Sequence, residues 1–148
     1  MRVAIISILI TASLSACALP GNPSSISEPW QLSLEVSGGF AGIHRQLTLT
    51  NTGELAATDH ITGANGAVQL SAAELGEVAG LVSQIQVPAA SSGDLPPCND
   101  CFEYKLGVSL KGDQFEVVAN DISLEDSPFA PLVRKLNDLL HKSLSGDV

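Results

Sequence analysis

Apolar and polar residues alternate in four segments of the chain, as expected for strands with one buried face. The segments are residues 30–36, 43–50, 102–110 and 114–119. Glycine-containing segments, residues 37–42 and 111–113, join them in pairs. Because a short glycine turn reverses the chain, the pattern predicts two β-hairpins.

Two further segments have apolar residues at helical spacing. Ser71 and Glu74 form a capping-box pattern that begins a helix expected to reach Gln84. A second helix is predicted from Pro131, since proline suits a first helical turn. Its apolar positions are Leu132, Val133, Leu136, Leu139 and Leu140. The polar residues 51–65 and the proline-rich residues 88–97 are predicted to be loops.

The order of these elements, ββαββα, predicts an α+β fold. We expect an antiparallel four-stranded sheet built from two hairpins, with two helices packed on one face. By length, residues 30–148 are expected to form one domain.

The first residues have the features of a secretory signal. Arg2 precedes an apolar segment, residues 3–14, and small residues then lead to Cys17. A membrane-spanning helix needs about 20 apolar residues, so this segment is too short to be one. Residues 1–16 are therefore predicted to be a signal peptide.

The segment Leu14-Ser15-Ala16-Cys17 resembles a bacterial lipobox. The resemblance implies lipidation of the Cys17 thiol, cleavage after Ala16 and attachment to a membrane in the cell envelope. The alternative is an ordinary signal in which Cys17 falls at this position by chance. Ala18 follows, where aspartate is the usual inner-membrane signal, so the outer membrane is expected if the source is Gram-negative. Residues 17–29, rich in Pro, Ser, Gly and Asn, are predicted to be a flexible tether.

The charge balance limits the partners of the chain. Seven Lys and Arg against sixteen Asp and Glu give a formal net charge of −9. Without basic clusters, so acidic a chain is not expected to bind nucleic acid or to adsorb to anionic headgroups. A cationic protein partner remains open.

Cys98 and Cys101 form a C-x-x-C motif with three interpretations. Redox chemistry would be favoured by a helix N-terminus behind the motif, but a proline-rich loop precedes it and a strand follows. Zinc would require a second pair of ligands. We favour a local disulfide in an oxidising compartment, with no metal and no cofactor.

Motifs of common enzyme classes are absent from the sequence. It contains no G-x-S-x-G, no H-E-x-x-H and no glycine-rich phosphate loop. We therefore expect a protein that is not an enzyme.

The turn of the first predicted hairpin carries a phenylalanine among glycines, in the run Gly38-Gly39-Phe40-Ala41-Gly42-Ile43. A hairpin turn needs glycine for positive φ but does not need an aromatic residue at its tip. Phe40 either folds back onto the sheet as part of the core or is an exposed aromatic contact for a partner.

This run, with Arg45 two residues further on, resembles the opening signature of the emfourin family of protealysin inhibitors. The resemblance extends as pattern through the first helix, the strand with Phe102 and Tyr104, and the closing helix. It implies inhibition of a thermolysin-like zinc metallopeptidase, here an exported one. It also implies a partner-binding segment of Gly38, Gly39, Phe40, Ala41, Gly42, Ile43 and Arg45. The alternatives are a structural or accessory envelope lipoprotein and, more distantly, a thiol redox protein.

Overall fold

The computed structural model describes residues 29–86 and 95–146. The predicted signal peptide, Cys17 and nearly all of the tether lie outside these residues. Six strands and three helices occur in the described ranges. They are β1 (Trp30–Gly38), β2 (Ile43–Thr50), β3 (Glu54–Asp59), β4 (Asn65–Gln69), α1 (Ala72–Val82), β5 (Phe102–Leu110), β6 (Asp113–Asn120), α2 (Asp121–Glu125) and α3 (Ala130–Ser145).

The strands form one six-stranded antiparallel sheet in the order β4-β3-β2-β1-β5-β6. β1 is central, and its Leu34 lies opposite Leu47 of β2 and Leu106 of β5. The prediction of four strands was wrong. β3 and the first residue of β4, Asn65, lie within residues 51–65, which were expected to be a loop.

The missed strands lack a clear alternation because one of them passes close to a helix. The inward positions of β3 are Leu55, Ala57 and Asp59, and β4 places Gly66 opposite Ala57. A Cβ atom on Gly66 would collide with the backbone of Ser143 in α3. Small residues are needed at this crossing, and they remove the large apolar positions by which a strand is recognised.

The helices also differ from the prediction. α3 packs on β1 to β4, and α1 packs against α3, where Lys135 pairs with Glu77. The capping box of Ser71 and Glu74 is confirmed, but α1 ends at Val82 rather than Gln84. The short helix α2 was not predicted.

The core lies between the helices and the inward side of the sheet. It is mainly aliphatic, with leucine at most of the fully buried positions and Trp30, Tyr104 and Phe129 as its buried aromatic residues. The largest fully buried side chains are Leu32, Leu34, Leu47, Leu49, Leu106, Leu136, Leu140, Val78 and Val82. None of the helices among the described residues has the length and apolar character needed to cross a membrane.

Candidate functional site

The turn between β1 and β2 carries Phe40 into solvent. The Phe40 residue is 95% exposed, so its ring is not part of the core. Ala41 and Gly42 are exposed beside it, whereas Ile43 begins β2 and packs against the core. The turn closes with a hydrogen bond of 3.0 Å from Gly42 N–H to the Gly39 carbonyl.

The turn is fixed to the neighbouring chain through its first two glycines. Gly38 and Gly39 have φ values of 94° and 69°, which other residues rarely adopt. A Cβ on Gly38 would lie 2.7 Å from the Cys101 carbonyl oxygen, and one on Gly39 would collide with the Phe102 ring. Gly39 N–H also donates to the Cys101 carbonyl at 3.0 Å. Glycine is therefore required both for the backbone angles and for this close packing.

The segment that supports the turn carries the cysteine pair. Cys98 and Cys101 are joined by a disulfide with their Cα atoms 5.7 Å apart. Asp100, between them, has a positive φ of 61°. The disulfide thus lies directly beside the carbonyl that accepts the Gly39 hydrogen bond.

Arg45 lies on the helix-facing side of the sheet and not at the tip of the turn. Its Nε donates to Asp59 Oδ2 at 2.9 Å, and its Nη1 lies 3.4 Å from Nδ1 of His141 in α3. Only a quarter of the Arg45 side chain is accessible, at 25%. This placement favours a supporting role for Arg45 over direct contact with a partner.

Asp59 organises the neighbouring turn between β3 and β4. Its residue exposure is 5%, and its Oδ1 accepts the backbone N–H groups of Ile61 and Thr62 at 2.9 and 3.0 Å. The hydrogen bonds from Thr62 and from Arg45 lower the pKa of Asp59 to about 2. Sequence reasoning did not find this turn, because the strands on either side of it, β3 and β4, were not recognised.

A second carboxylate fixes the corner where β6 meets α2. Asp121 accepts the Phe102 N–H at 2.8 Å and the Tyr104 hydroxyl at 3.0 Å. Burial, followed by the Asp121 hydrogen bond, raises the pKa of Tyr104 to about 12. Asn120 caps α2 and donates to the Pro96 carbonyl at 2.7 Å, which ties the preceding segment to the same corner.

Two histidines lie near the turn on the sheet face away from the helices. His44 Nε2 lies 3.0 Å from Glu35 Oε1, and the ring centroids of His44 and His60 are 4.5 Å apart. Among the described residues, no group of three or more His, Cys, Asp or Glu is placed to hold a metal ion. The most exposed apolar group at this end of the sheet is the Phe40 ring, on a turn whose backbone is held by hydrogen bonds.

The structure thus brings the predicted segment together with features far away in sequence. Gly38 to Ile43 form the tip, Arg45 lies behind it, and Cys98 and Cys101 lie beside it. Cys17 falls outside the described residues. No protein-family model matches the chain, and no curated protein matches it.

Proposed function

We propose that this chain is a lipid-anchored protein inhibitor of thermolysin-like zinc metallopeptidases. Lipid on Cys17 would hold it in the cell envelope, and the turn between β1 and β2 would enter the substrate cleft of an exported peptidase. Inhibition would be occlusive: the domain fills the cleft and excludes substrate, without chemistry of its own.

The observation that carries the proposal is the exposure of Phe40 on a fixed turn. A ring that is 95% exposed contributes little to folding and is available for contact with a partner. The residues around it are those in which the chain resembles the emfourin signature, Gly38 to Ile43 and Arg45. The resemblance therefore covers the exposed tip, Phe40 to Gly42, together with residues that hold this tip in place.

The rigidity of the turn favours tight binding. Its backbone is held by the Gly39 hydrogen bond to Cys101 and by the Phe102 ring beneath it. A loop that is already ordered loses little conformational entropy on binding, so more of the contact energy remains as affinity. Aromatic side chains in such positions commonly dominate the energetics of an interface.

The test is titration of a thermolysin-like metallopeptidase with the chain from Ser24 onwards, which lacks the lipid but keeps every core residue of the described domain. Stoichiometric loss of peptidase activity is expected, with no effect on a serine peptidase measured in parallel. If the domain does not inhibit the thermolysin-like peptidase of its own organism, the inhibitor proposal is wrong. A structural or accessory envelope lipoprotein would then be the better hypothesis.

A further inference from the structure

Three of the exposed large apolar side chains lie at one end of the sheet. Phe40 is in the turn between β1 and β2, Ile61 in the turn between β3 and β4, and Ile122 in α2 immediately after β6. Their exposures are 95%, 65% and 52%. The strand register places all three at the same end, since Gly38 lies opposite Phe102, Arg45 opposite Asp59, and Glu103 opposite Asn120.

Each of these tips is held by a buried or half-buried polar group. Asp59 accepts the Ile61 N–H at 2.9 Å, and the Asn120 side chain accepts the Ile122 N–H at 3.1 Å. The Phe40 turn is held by the Gly39 bond to Cys101. The backbone at all three positions is therefore held by hydrogen bonds, so little conformational entropy would be lost there on binding.

We propose that Phe40, Ile61 and Ile122 form one binding edge that enters the peptidase cleft together. The inference rests on the proposed function and specifies its contact surface. Arg45 then acts as a positioning residue, because its ion pair with Asp59 holds the Ile61 turn in place.

The dimensions of the edge suit a peptide-binding cleft. With strands about 4.8 Å apart, the distance across the sheet from the β3–β4 turn to the end of β6 is roughly 20 Å. An extended peptide of about six residues has the same length at about 3.3 Å per residue. The edge is therefore long enough to fill a cleft that binds substrate residues on both sides of the scissile bond.

The charge at this end indicates the chemistry of the cleft rim. Asp100 and Glu103 are exposed on the segment that separates the Phe40 and Ile122 tips. The edge thus fits a cleft with apolar pockets and a cationic rim, since opposite charges favour encounter and orientation.

The experiment compares Ile61→Ser and Ile122→Ser with a matched control, Val118→Ser, in the chain from Ser24 onwards. Val118 is also an exposed apolar residue, at 36%, but it lies within β6 opposite Lys105 rather than at a tip. Each tip variant should raise the inhibition constant about tenfold, and the control less than about twofold. Thermal melting of each variant identifies any loss of fold. If a serine variant melts early, Ile61→Thr or Ile122→Thr repeats the test with a β-branched side chain.

The outcomes separate the two proposals. If Phe40→Ala weakens inhibition but both isoleucine variants behave like Val118→Ser, the three-tip edge is wrong and the inhibitor proposal stands. If the unmodified domain does not inhibit, the inhibitor proposal is wrong and the edge that depends on it is rejected too.

Discussion

The exposure of Phe40 decides between the two roles that its sequence position allowed, a core residue or an exposed contact for a partner. Because its ring is exposed, Phe40→Ala should leave the free energy of unfolding within about 0.5 kcal/mol of the unmodified domain. The same change should weaken inhibition by about 1–3 kcal/mol. Thermal melting and inhibition measured on the same Phe40→Ala sample show whether Phe40 contributes to stability or to binding.

Phe129→Ala is the matched control for Phe40→Ala. Phe129 is buried, and its ring centroid lies 6.1 Å from that of Phe115. Its removal should cost about 3–5 kcal/mol of stability through the cavity it leaves. A Phe40 variant that melts as early as the Phe129 variant would contradict the exposed placement.

Asp59 makes the stability of the domain sensitive to acid. Its pKa is lowered to about 2 in the folded chain, below the ordinary value of 3.8. A lowered pKa means that the charged form stabilises the fold. This contribution is present above pH 3.8 and is lost as the pH falls through about 2.

The variant Asp59→Asn isolates this effect, because an amide oxygen still accepts the Ile61 and Thr62 N–H groups but carries no charge for Arg45. Denaturant unfolding of both proteins from neutral pH to pH 2 should show that their difference in stability shrinks with acid. Parallel curves would show that Asp59 does not titrate with a lowered pKa in the folded domain.

Tyr104 reports on the opposite end of the pH scale, and it is the only tyrosine among the 148 residues. Tyrosinate absorbance should appear with a midpoint near pH 12 in the folded domain and about 10 in denaturant. Because the folded pKa is raised, its stabilising contribution is full below pH 10 and is lost as the pH rises through about 12.

Asp121→Asn should lower that midpoint, since the carboxylate is the second cause of the shift. Burial is the first cause and should keep the midpoint above that of the denatured chain. A folded midpoint equal to the denatured one would show that Tyr104 is neither buried nor bonded to Asp121 as described.

At the scale of elements, the disulfide supports the turn between β1 and β2 more than the fold as a whole. A loop closed over so few residues should add only about 1–2 kcal/mol of stability. If the protein is exported as proposed, alkylation and mass spectrometry should find no free thiol at Cys98 or Cys101 before reduction. Two alkylated thiols would contradict the disulfide, and the redox and metal interpretations of Cys98 and Cys101 would then have to be considered again.

The elements also show what the sequence was able to predict. β1, β2, β5 and β6 were recognised because large apolar residues alternate along them and lie against the helices. β3 and β4 were missed because alanine and Gly66 stand where α3 comes close. The glycine turn was evident from its composition. The position of Phe40, Ile61 and Ile122 at the same end of the sheet depends on strand pairing, which periodicity does not specify.

At the scale of the whole molecule, the proposed lipid on Cys17 would set the location of the domain. Cys17→Ser should abolish its partition into the detergent phase, because a thioether-linked lipid cannot form on serine. The unmodified protein is the control, and both should be expressed with the full leader. A serine variant that still partitions with detergent would contradict the anchor.

The central position of β1 determines when the chain can fold. Its Leu34 must pair with Leu106, and α3 must then cover the apolar side of β1 to β4. Contacts between residues so far apart form slowly, since the intervening chain has to be closed into a loop first. The nascent chain therefore lacks its complete core until α3 has been synthesised. A protein that must pass through a secretion channel in an extended state would gain time from this delay.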